Sequence, residues 1–174
     1  FPTIPNSNLL STIFSLKSLC RSREQLIKER CKYQVLLTNE LDLTFPELKP
    51  FFNNNFSATL LFILEKYINT EHISLMRDYD SIRATSRGKF SYAKFAKLRK
   101  LAKNSVGRHD ENTDLLISTY ISIIRTFNDK IDPIEKQIST IIKVLNPRML
   151  TIPGLGEISA ATILSEYGDI NNFP

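Results

Sequence analysis

The sequence has few of the residues that build metal or catalytic centres. It contains two histidines, His72 and His109, and neither has a partner at the spacing of a zinc site or a Ser/His/Asp triad. Two cysteines, Cys20 and Cys31, lie eleven residues apart in a helical pattern, which separates them by about 16 Å. That distance excludes a disulfide or a shared metal ion, and we expect reduced, structural thiols.

Long apolar runs are also missing. None approaches the roughly 18–20 residues that cross a bilayer, and the first residues lack the basic and apolar regions of a signal peptide. We therefore expect a cytoplasmic chain with no membrane partner. Because the sequence does not begin with Met, we expect it to start inside a longer protein. Its 174 residues suffice for one domain with a sizeable core or for one elongated helical region.

Acidic residues are absent from one stretch, residues 81–108, which we call the basic segment. It holds nine of the chain's 23 Lys and Arg, and the remaining 14 stand against 18 acidic residues, a net charge of −4. The overall charge of +5 is therefore concentrated in this segment. A nucleic-acid phosphate backbone attracts such a concentration.

Apolar residues recur at helical spacing over two long stretches, and no strand-like alternation is present. The first helix is expected at about residues 8–43, ending before the prolines of residues 45–50. The second is expected at about residues 112–146, with a kink at Pro133. Its apolar seam steps by three and four, with a stutter near Phe127: Leu116, Tyr120, Ile123, Phe127, Ile131, Ile134, Ile138, Ile141 and Leu145.

The pattern predicts an all-α fold, with long antiparallel coiled-coil helices and an insertion of short helices, about residues 57–108, at their far end. Both seams need cover, so we expect a homo-oligomer formed through residues 9–43 and 112–146. The acidic residues Asp110, Glu111 and Asp114 begin the second long helix. The helix macrodipole explains them better than a metal site does.

Three short helices are expected in the insertion, with Ser57, Thr70 and Ser91 as their capping residues. On the third, Phe95, Leu98 and Ala102 share one face. The opposite face is either a solvated basic surface or a nucleic-acid contact, and the absence of acidic residues favours the contact. The candidate residues in the basic segment are Arg87, Lys89, Lys94, Lys97, Arg99, Lys100 and Lys103.

Residues 150–164 read LTIPGLGEISAATIL and are similar to a helix-hairpin-helix. Glycines permit a tight turn that approaches a phosphate closely. A helix beginning near Glu157 directs free amides toward the anion. Ala160 should be small because that helix packs on the preceding one. The candidate DNA-binding residues in this turn are Ile152, Gly154, Leu155 and Gly156.

Three stretches together resemble the DEDD-type insertion-sequence transposases, which are recombinases guided by a bridge RNA. They read RSREQLIKERCKYQVLLTNELDLTFPELKPFF, RGKFSYAKFAKLRKLAKNSVG and LNPRMLTIPGLGEISAATILSEYGDINNFP, in that order. The resemblance implies three regions: residues 1–8 as a linker from an RNase-H-like domain, 9–146 as the helical coiled-coil region, and 147–174 as the start of the C-terminal transposase domain.

The resemblance also implies partners and chemistry for an intact protein. These are DNA, a guide RNA, divalent metal ions (Mg²⁺ by expectation), an acidic tetrad and a serine nucleophile. Neither the tetrad nor that serine has a counterpart in this sequence, and Ser159 and Ser165 belong to the hairpin's second helix. We therefore expect no catalytic residues and no cofactor here, with roles in oligomerisation and nucleic-acid binding. The alternatives are a stand-alone helix-hairpin-helix accessory protein and a pure coiled-coil dimerisation module.

Overall fold

The computed structural model describes residues 6–52 and 56–167 of the chain. Within these ranges it contains helices and their connections and no strand, which confirms the all-α prediction. The helices are α1 (Asn6–Thr44), α2 (Leu48–Phe51), α3 (Ala58–Lys66), α4 (Thr70–Leu75), α5 (Tyr79–Thr85), α6 (Tyr92–Lys103), α7 (Glu111–Leu145) and α8 (Glu157–Tyr167), with a single 3₁₀ turn at Arg148–Thr151. No helix among these residues has the length and apolarity that crossing a bilayer requires.

Both predicted long helices are present. The first, α1, has 39 residues and ends just before Phe45-Pro46, as the proline-rich stretch predicted. The second, α7, has 35 residues and continues through Pro133. A kink is expected at Pro133 because a proline in a helix lacks the N–H that would bond the fourth carbonyl before it. That kink stays a prediction.

The chain clusters into two compact units. The central unit is Arg30–Arg125. The terminal unit comprises the described residues of Phe1–Glu29 and Thr126–Pro174. Each unit therefore contains part of α1 and part of α7, together with shorter elements. The predicted boundary between residues 146 and 147 falls inside the terminal unit.

The core of the central unit is built where α1 and α7 meet the short helices. Leu37 and Leu41 of α1 cluster with Ile117, Ile121 and Ile124 of α7. The short helices contribute apolar residues to the same cluster, chiefly Leu60, Ile63, Leu64, Ile73, Met76, Ile82, Phe90, Phe95, Leu98 and Ala102. The buried face predicted for α6 is thus confirmed.

The core of the terminal unit joins α1, α7 and α8. Leu16 and Cys20 of α1 are buried with Ile138 and Ile142 of α7 and with Ala161 of α8. Nearer the C-terminal end of α1, Arg23 pairs with Glu135, at 2.7 Å between nitrogen and oxygen. Because positions later in α1 meet positions earlier in α7, the two helices run antiparallel in this unit.

The buried positions of α7 differ from the predicted seam. In its first half the buried residues are Ile117, Ile121 and Ile124, one position beyond the predicted Leu116, Tyr120 and Ile123. Leu116 is 38% exposed. Further on, Ile131 and Ile138 are buried as predicted, whereas Ile142 is buried in place of the predicted Ile141, which is half-buried. These residues fit a 4–3 repeat with Asn128 and Glu135 half-buried at two of its positions, so burial does not require the predicted stutter.

Two of the three predicted caps are confirmed, since the hydroxyls of Ser57 and Ser91 accept from Leu60 N–H and Lys94 N–H, each at 3.3 Å. The prediction of Thr70 as a cap was wrong. Asn69 occupies that position, and its side chain accepts from His72 N–H at 3.0 Å. The single helix expected after it is also wrong, because α4 and α5 are separate helices.

Glu47 and Gly107 attach the end of the basic segment to the end of α1. The Glu47 carboxylate accepts from Ser105 Oγ at 2.6 Å and from the Val106 N–H at 3.1 Å. A Cβ added to Gly107 would lie 2.0 Å from the carbonyl oxygen of Thr44. Only a glycine therefore fits at this crossing without displacing the backbone of α1.

Candidate nucleic-acid interface

Eight of the nine cations in the basic segment are exposed. In the part of the chain that the structure describes, none of these eight side chains forms an ion pair with a carboxylate, and we call them the unpaired cations. They are Arg83, Arg87, Lys89, Lys94, Lys97, Lys100, Lys103 and Arg108. All belong to the central unit, and six are among the predicted binding residues.

Four of the unpaired cations form a row on α6. Lys94, Lys97, Lys100 and Lys103 recur every third residue. At 1.5 Å per residue, the row covers about 14 Å along the helix axis. Phe95, Leu98 and Ala102 bury the other side of α6 in the central core, so the row is held on a fixed element. Each lysine is rotated by about 60° around the axis from the one before it, so the row winds through about half a turn of the exposed side of α6, and neighbouring lysines such as Lys97 and Lys100 lie closest in direction.

The turn between α5 and α6 presents two further cations, Arg87 and Lys89. Arg87 and Gly88 have φ of 52° and 79°, the left-handed region that ends helices. The Gly88 N–H donates to the Arg83 carbonyl at 2.9 Å, which satisfies an acceptor at the end of α5. This turn leaves the long side chains of Arg87 and Lys89 exposed.

Arg99 differs from the other predicted cations. It is half-buried, and its Nε donates to the Ser74 carbonyl at 3.1 Å. Its guanidinium carbon lies 5.8 Å from the centroid of the Phe95 ring. These contacts tie α6 to the C-terminal end of α4. Arg99 therefore stabilises the contact between α6 and α4, a role that the sequence pattern did not distinguish from nucleic-acid binding.

Several cations outside the basic segment form ion pairs with carboxylates. Lys17 and Arg21 of α1 both bind Glu166 of α8, at 3.1 Å and 3.0 Å. The hydrogen bonds from Arg21 and then from Lys17 lower the pKa of Glu166. Similar pairs join Lys28 to Glu24, Lys49 to Asp42, Lys66 to Asp78, Arg125 to Glu65 and Lys143 to Glu157.

The hairpin turn, residues 152–156, lies in the terminal unit between the 3₁₀ turn and α8. Gly154 has a φ of 86°, which L residues with a Cβ rarely adopt, so glycine is required there by conformation. Ile152 and Gly156 are exposed, and Leu155 is half-buried. The expected start of α8 at Glu157 and the burial of Ala160 are both confirmed.

Glu157 would oppose an anion at this turn if its carboxylate faced the turn. Its carboxylate instead accepts a hydrogen bond from Ser139 on α7 and lies 3.4 Å from Lys143 Nζ. The Ser139 hydrogen bond is the largest influence that lowers the pKa of Glu157. The negative charge at the start of α8 is thus compensated from within the unit.

The acidic residues at the start of α7 cap and brace that helix. Asp110 accepts from the Thr113 N–H, and the Asp110 N–H donates to Thr113 Oγ1, each at 2.8 Å. The Thr113 N–H bond is the leading cause that lowers the pKa of Asp110. Asp114 accepts from Asn69 Nδ2 at 2.7 Å. Over the described ranges, no group of three or more His, Cys, Asp or Glu side chains is arranged to hold a metal ion.

Ser159 and Ser165 both lie in α8, the helix that follows the turn. Ser165 is buried, and its hydroxyl donates to the Thr162 carbonyl at 2.9 Å. Ser159 is exposed. The cysteines are free, with Cys20 buried as expected of a structural thiol and Cys31 exposed against that expectation. The last part of the stretch that resembles the transposases, residues 168–174, lies outside the described residues, as do residues 1–5 of the expected linker.

Sequence reasoning missed a cleft of about 540 Å³ in the central unit. Its lining combines aromatic rings, hydroxyls and two of the unpaired cations: Phe51, Phe52, Phe90, Ser57, Thr59, Ser86, Lys89 and Lys94. The adjacent pair Phe51-Phe52 was the part of this cleft that the sequence shows directly. Nothing in the sequence brings that pair beside Phe90.

Comparison of the chain with protein-family models, with curated proteins and with solved structures finds no match.

Proposed function

We propose that this chain binds nucleic acid through the unpaired cations, and that it works in DNA transposition as the helical region of a DEDD-type transposase. The observation that supports binding is the set of eight exposed cations that have no carboxylate partner among residues 6–52 and 56–167. The assignment to a transposase rests on the resemblance of three stretches of sequence. The guide RNA, the homo-oligomer, the cytoplasmic location and the Mg²⁺ ions of an intact protein belong to the same proposal.

Charge density favours a nucleic acid over an acidic protein as the ligand. Duplex DNA carries one negative charge per about 1.7 Å of its axis, and cations that meet phosphates release bound counterions. The row on α6 offers four ammonium groups along the exposed side of one helix. An ammonium group is a point charge without a fixed hydrogen-bonding plane, so it suits contact with phosphates of any sequence.

The hairpin turn is proposed as a second contact, of helix-hairpin-helix type. It would supply backbone N–H groups at the start of α8 rather than side-chain charge. Compensation of Glu157 by Ser139 and Lys143 supports this role, because the carboxylate is bound on the α7 side. The long helices α1 and α7 are proposed to act as a coiled coil that positions the two contacts in the assembled protein.

The proposal is tested by removing two lysines from the row and two from elsewhere. Lys97→Ala with Lys100→Ala takes charges from α6, whereas Lys130→Ala with Lys136→Ala takes two exposed charges from α7. Affinity for a duplex of random sequence is measured by fluorescence anisotropy from 50 to 300 mM salt. If both row lysines meet phosphate, the slope of log affinity against log salt should flatten by about two units.

The control pair has the same net charge as the row pair, so it separates local contact from general attraction. We expect the control to keep most of the salt slope and most of the affinity. Equal losses in the two variants would reduce the basic segment to a general contribution to net charge. Absence of binding by the unmodified chain to DNA and RNA alike would overturn the proposal.

A further inference from the structure

The cleft in the central unit is lined by both aromatic rings and exposed lysines. Phe52 and Phe90 lie nearly parallel, with ring centroids 6.1 Å apart and planes inclined by 13°. Phe51 packs edge-on against Phe52 at 5.0 Å. Lys89 and Lys94 line the same cleft and are exposed without a carboxylate partner among the described residues.

From this geometry we propose that the cleft binds one unpaired nucleotide of a single-stranded nucleic acid. The base would lie against the aromatic rings, and its phosphate would meet Lys89 and Lys94. This inference rests on the proposed function and deepens it, because it assigns a ligand to an aromatic cleft that shares Lys94 with the row on α6. It does not distinguish DNA from RNA, which share the base and the phosphate.

The size and lining of the cleft fit this ligand. Its volume of about 540 Å³ lies within the range of small-ligand sites, roughly 300–1,000 Å³. Phe90 and Thr59 are its most buried lining residues, while Phe51 and Phe52 are half-buried and can offer ring surface. Aromatic faces accept every base, since each base has a π-face.

The same chemistry predicts that the cleft prefers single strands to duplexes. In a duplex, both faces of each internal base are covered by its neighbours, so no base is free to stack on Phe51 or Phe52. An unpaired base has an exposed face, and its stacking on an aromatic side chain strengthens binding by about ten-fold or more. The cleft should therefore favour single strands, whereas the row on α6 should accept duplex and single strand alike.

The hydroxyls in the cleft are partly committed to the fold. Ser86 accepts from the Phe90 N–H at 2.9 Å and donates to the Arg83 carbonyl at 2.7 Å. Ser57 accepts from the Leu60 N–H as the cap of α3. Base identity is therefore read weakly, and we expect affinity to depend on strandedness more than on sequence.

A tryptophan reporter tests the site, because the chain contains no tryptophan of its own. Phe52→Trp places one indole in the cleft, and Tyr92→Trp places one on an exposed position of α6 that does not line it. Emission is recorded while a 12-nucleotide oligo(dT), a 12-nucleotide oligo(U) or a 12-base-pair duplex is added. We expect both single strands, or one of them, to quench the first variant at least twice as strongly as the duplex does.

A second measurement places the fluorescent reporter in the nucleic acid and uses the unmodified chain. An oligonucleotide with one 2-aminopurine loses fluorescence when that base stacks, and we expect this loss with the unmodified chain. Phe52→Leu keeps apolar volume without the ring, and it should weaken single-strand binding about ten-fold while leaving duplex binding unchanged. This variant stands in for the first if Phe52→Trp does not fold.

Each outcome separates the cleft from the proposed function. Quenching by one single strand only identifies DNA or RNA as the source of the nucleotide. Anisotropy that reports binding without quenching at residue 52 or of 2-aminopurine overturns the cleft and leaves the row on α6. Equal quenching by the duplex also overturns the cleft. Failure of every nucleic acid to bind the unmodified chain overturns both.

Discussion

The basic segment of the central unit and the first long helix of the terminal unit use positive charge in different ways. In the terminal unit, Lys17, Arg21 and Arg23 bind carboxylates that belong to α8 or α7. In the central unit, the basic segment exposes eight cations without a carboxylate partner in the described structure. The first arrangement joins helices to one another, whereas the second leaves charge available for a ligand.

Pairing is therefore a better guide to function here than net charge. A single exposed ion pair stabilises a fold by about 0–1 kcal/mol, but it cancels most of the field of both partners. Uncompensated cations add their fields and attract polyanions from a distance. The chain's net charge of +5 would be the same if the cations were evenly spread, and it would then indicate little.

The largest expected effect tests whether the terminal unit is held together within one chain. Ile138 is fully buried beside Leu16 and Cys20, so Ile138→Ala should lower the free energy of unfolding by about 4 kcal/mol. Urea unfolding followed by circular dichroism at 2 and at 200 μM protein measures it. The loss should be the same at both concentrations, since the partners of Ile138 are intramolecular.

This expectation removes Ile138 from the interface of the proposed homo-oligomer and leaves that interface to residues of the long helices that are exposed in the described structure. If Ile138 faced a second copy, the unfolding midpoint of the unmodified chain would rise with protein concentration, and Ile138→Ala would abolish that rise. Lys136→Ala serves as the control, because Lys136 is exposed two residues away on the same helix. It should change stability by less than about 0.5 kcal/mol.

The positions of the two long helices could be read from the sequence, but which residues of α7 are buried could be read only in part. The long helices followed from apolar spacing and proline stops. On α7, however, apolar residues occur in adjacent pairs, such as Leu116-Ile117, Ile123-Ile124 and Ile141-Ile142. Either member of a pair can continue a 4–3 repeat, so the choice depends on what packs there. In the folded chain, Ile117, Ile124 and Ile142 are the buried members.

The candidate site shows the same limit. The concentration of cations was visible in the sequence, and so was the cap at Ser91 that fixes the start of α6. The separate task of Arg99 was not, because its acceptor is the Ser74 carbonyl 25 residues earlier in the chain. The cleft was hidden for a similar reason, since Phe52 and Phe90 meet only after α6 packs on the core.

A smaller effect, dependent on pH, sharpens the comparison inside the central unit. Glu47 contacts the basic segment through Ser105 and the Val106 N–H rather than through a cation. Burial is the largest single influence and acts to raise the pKa of Glu47, but the hydrogen bonds from Ser105, from the Val106 N–H and from its own backbone N–H together leave that pKa below its ordinary value. A depressed pKa means that the ionised form stabilises the fold above the ordinary carboxyl range, and this contribution is lost as pH falls through the folded pKa.

Glu47→Gln should therefore lower the free energy of unfolding by about 1 kcal/mol at pH 7. The difference between the variant and the unmodified chain should shrink as pH is lowered below about 4. Urea midpoints at pH 7, 5 and 3 measure it, with the exposed carboxylate of Glu71→Gln as the control. A difference that stays constant over this range would mean that Glu47 acts through its shape and not through its charge.

The smallest expected effect concerns the hairpin turn, where backbone amides would take the place of side-chain charge. A Cβ added to Gly156 meets no protein atom within 4 Å, so Gly156→Val has room in the unliganded chain. A close phosphate would nevertheless collide with the valine side chain, and we expect affinity for duplex DNA to fall about three-fold. The salt slope should be nearly unchanged, because backbone amides release few counterions. The affinity of Gly156→Ala for duplex DNA should lie between those of Gly156→Val and the unmodified chain. A thermal unfolding midpoint measured for each variant separates a lost contact from a damaged fold. If Gly156→Val binds as tightly as the unmodified chain, the hairpin is a turn that packs α8 on α7, and the unpaired cations of the central unit bind the ligand without it.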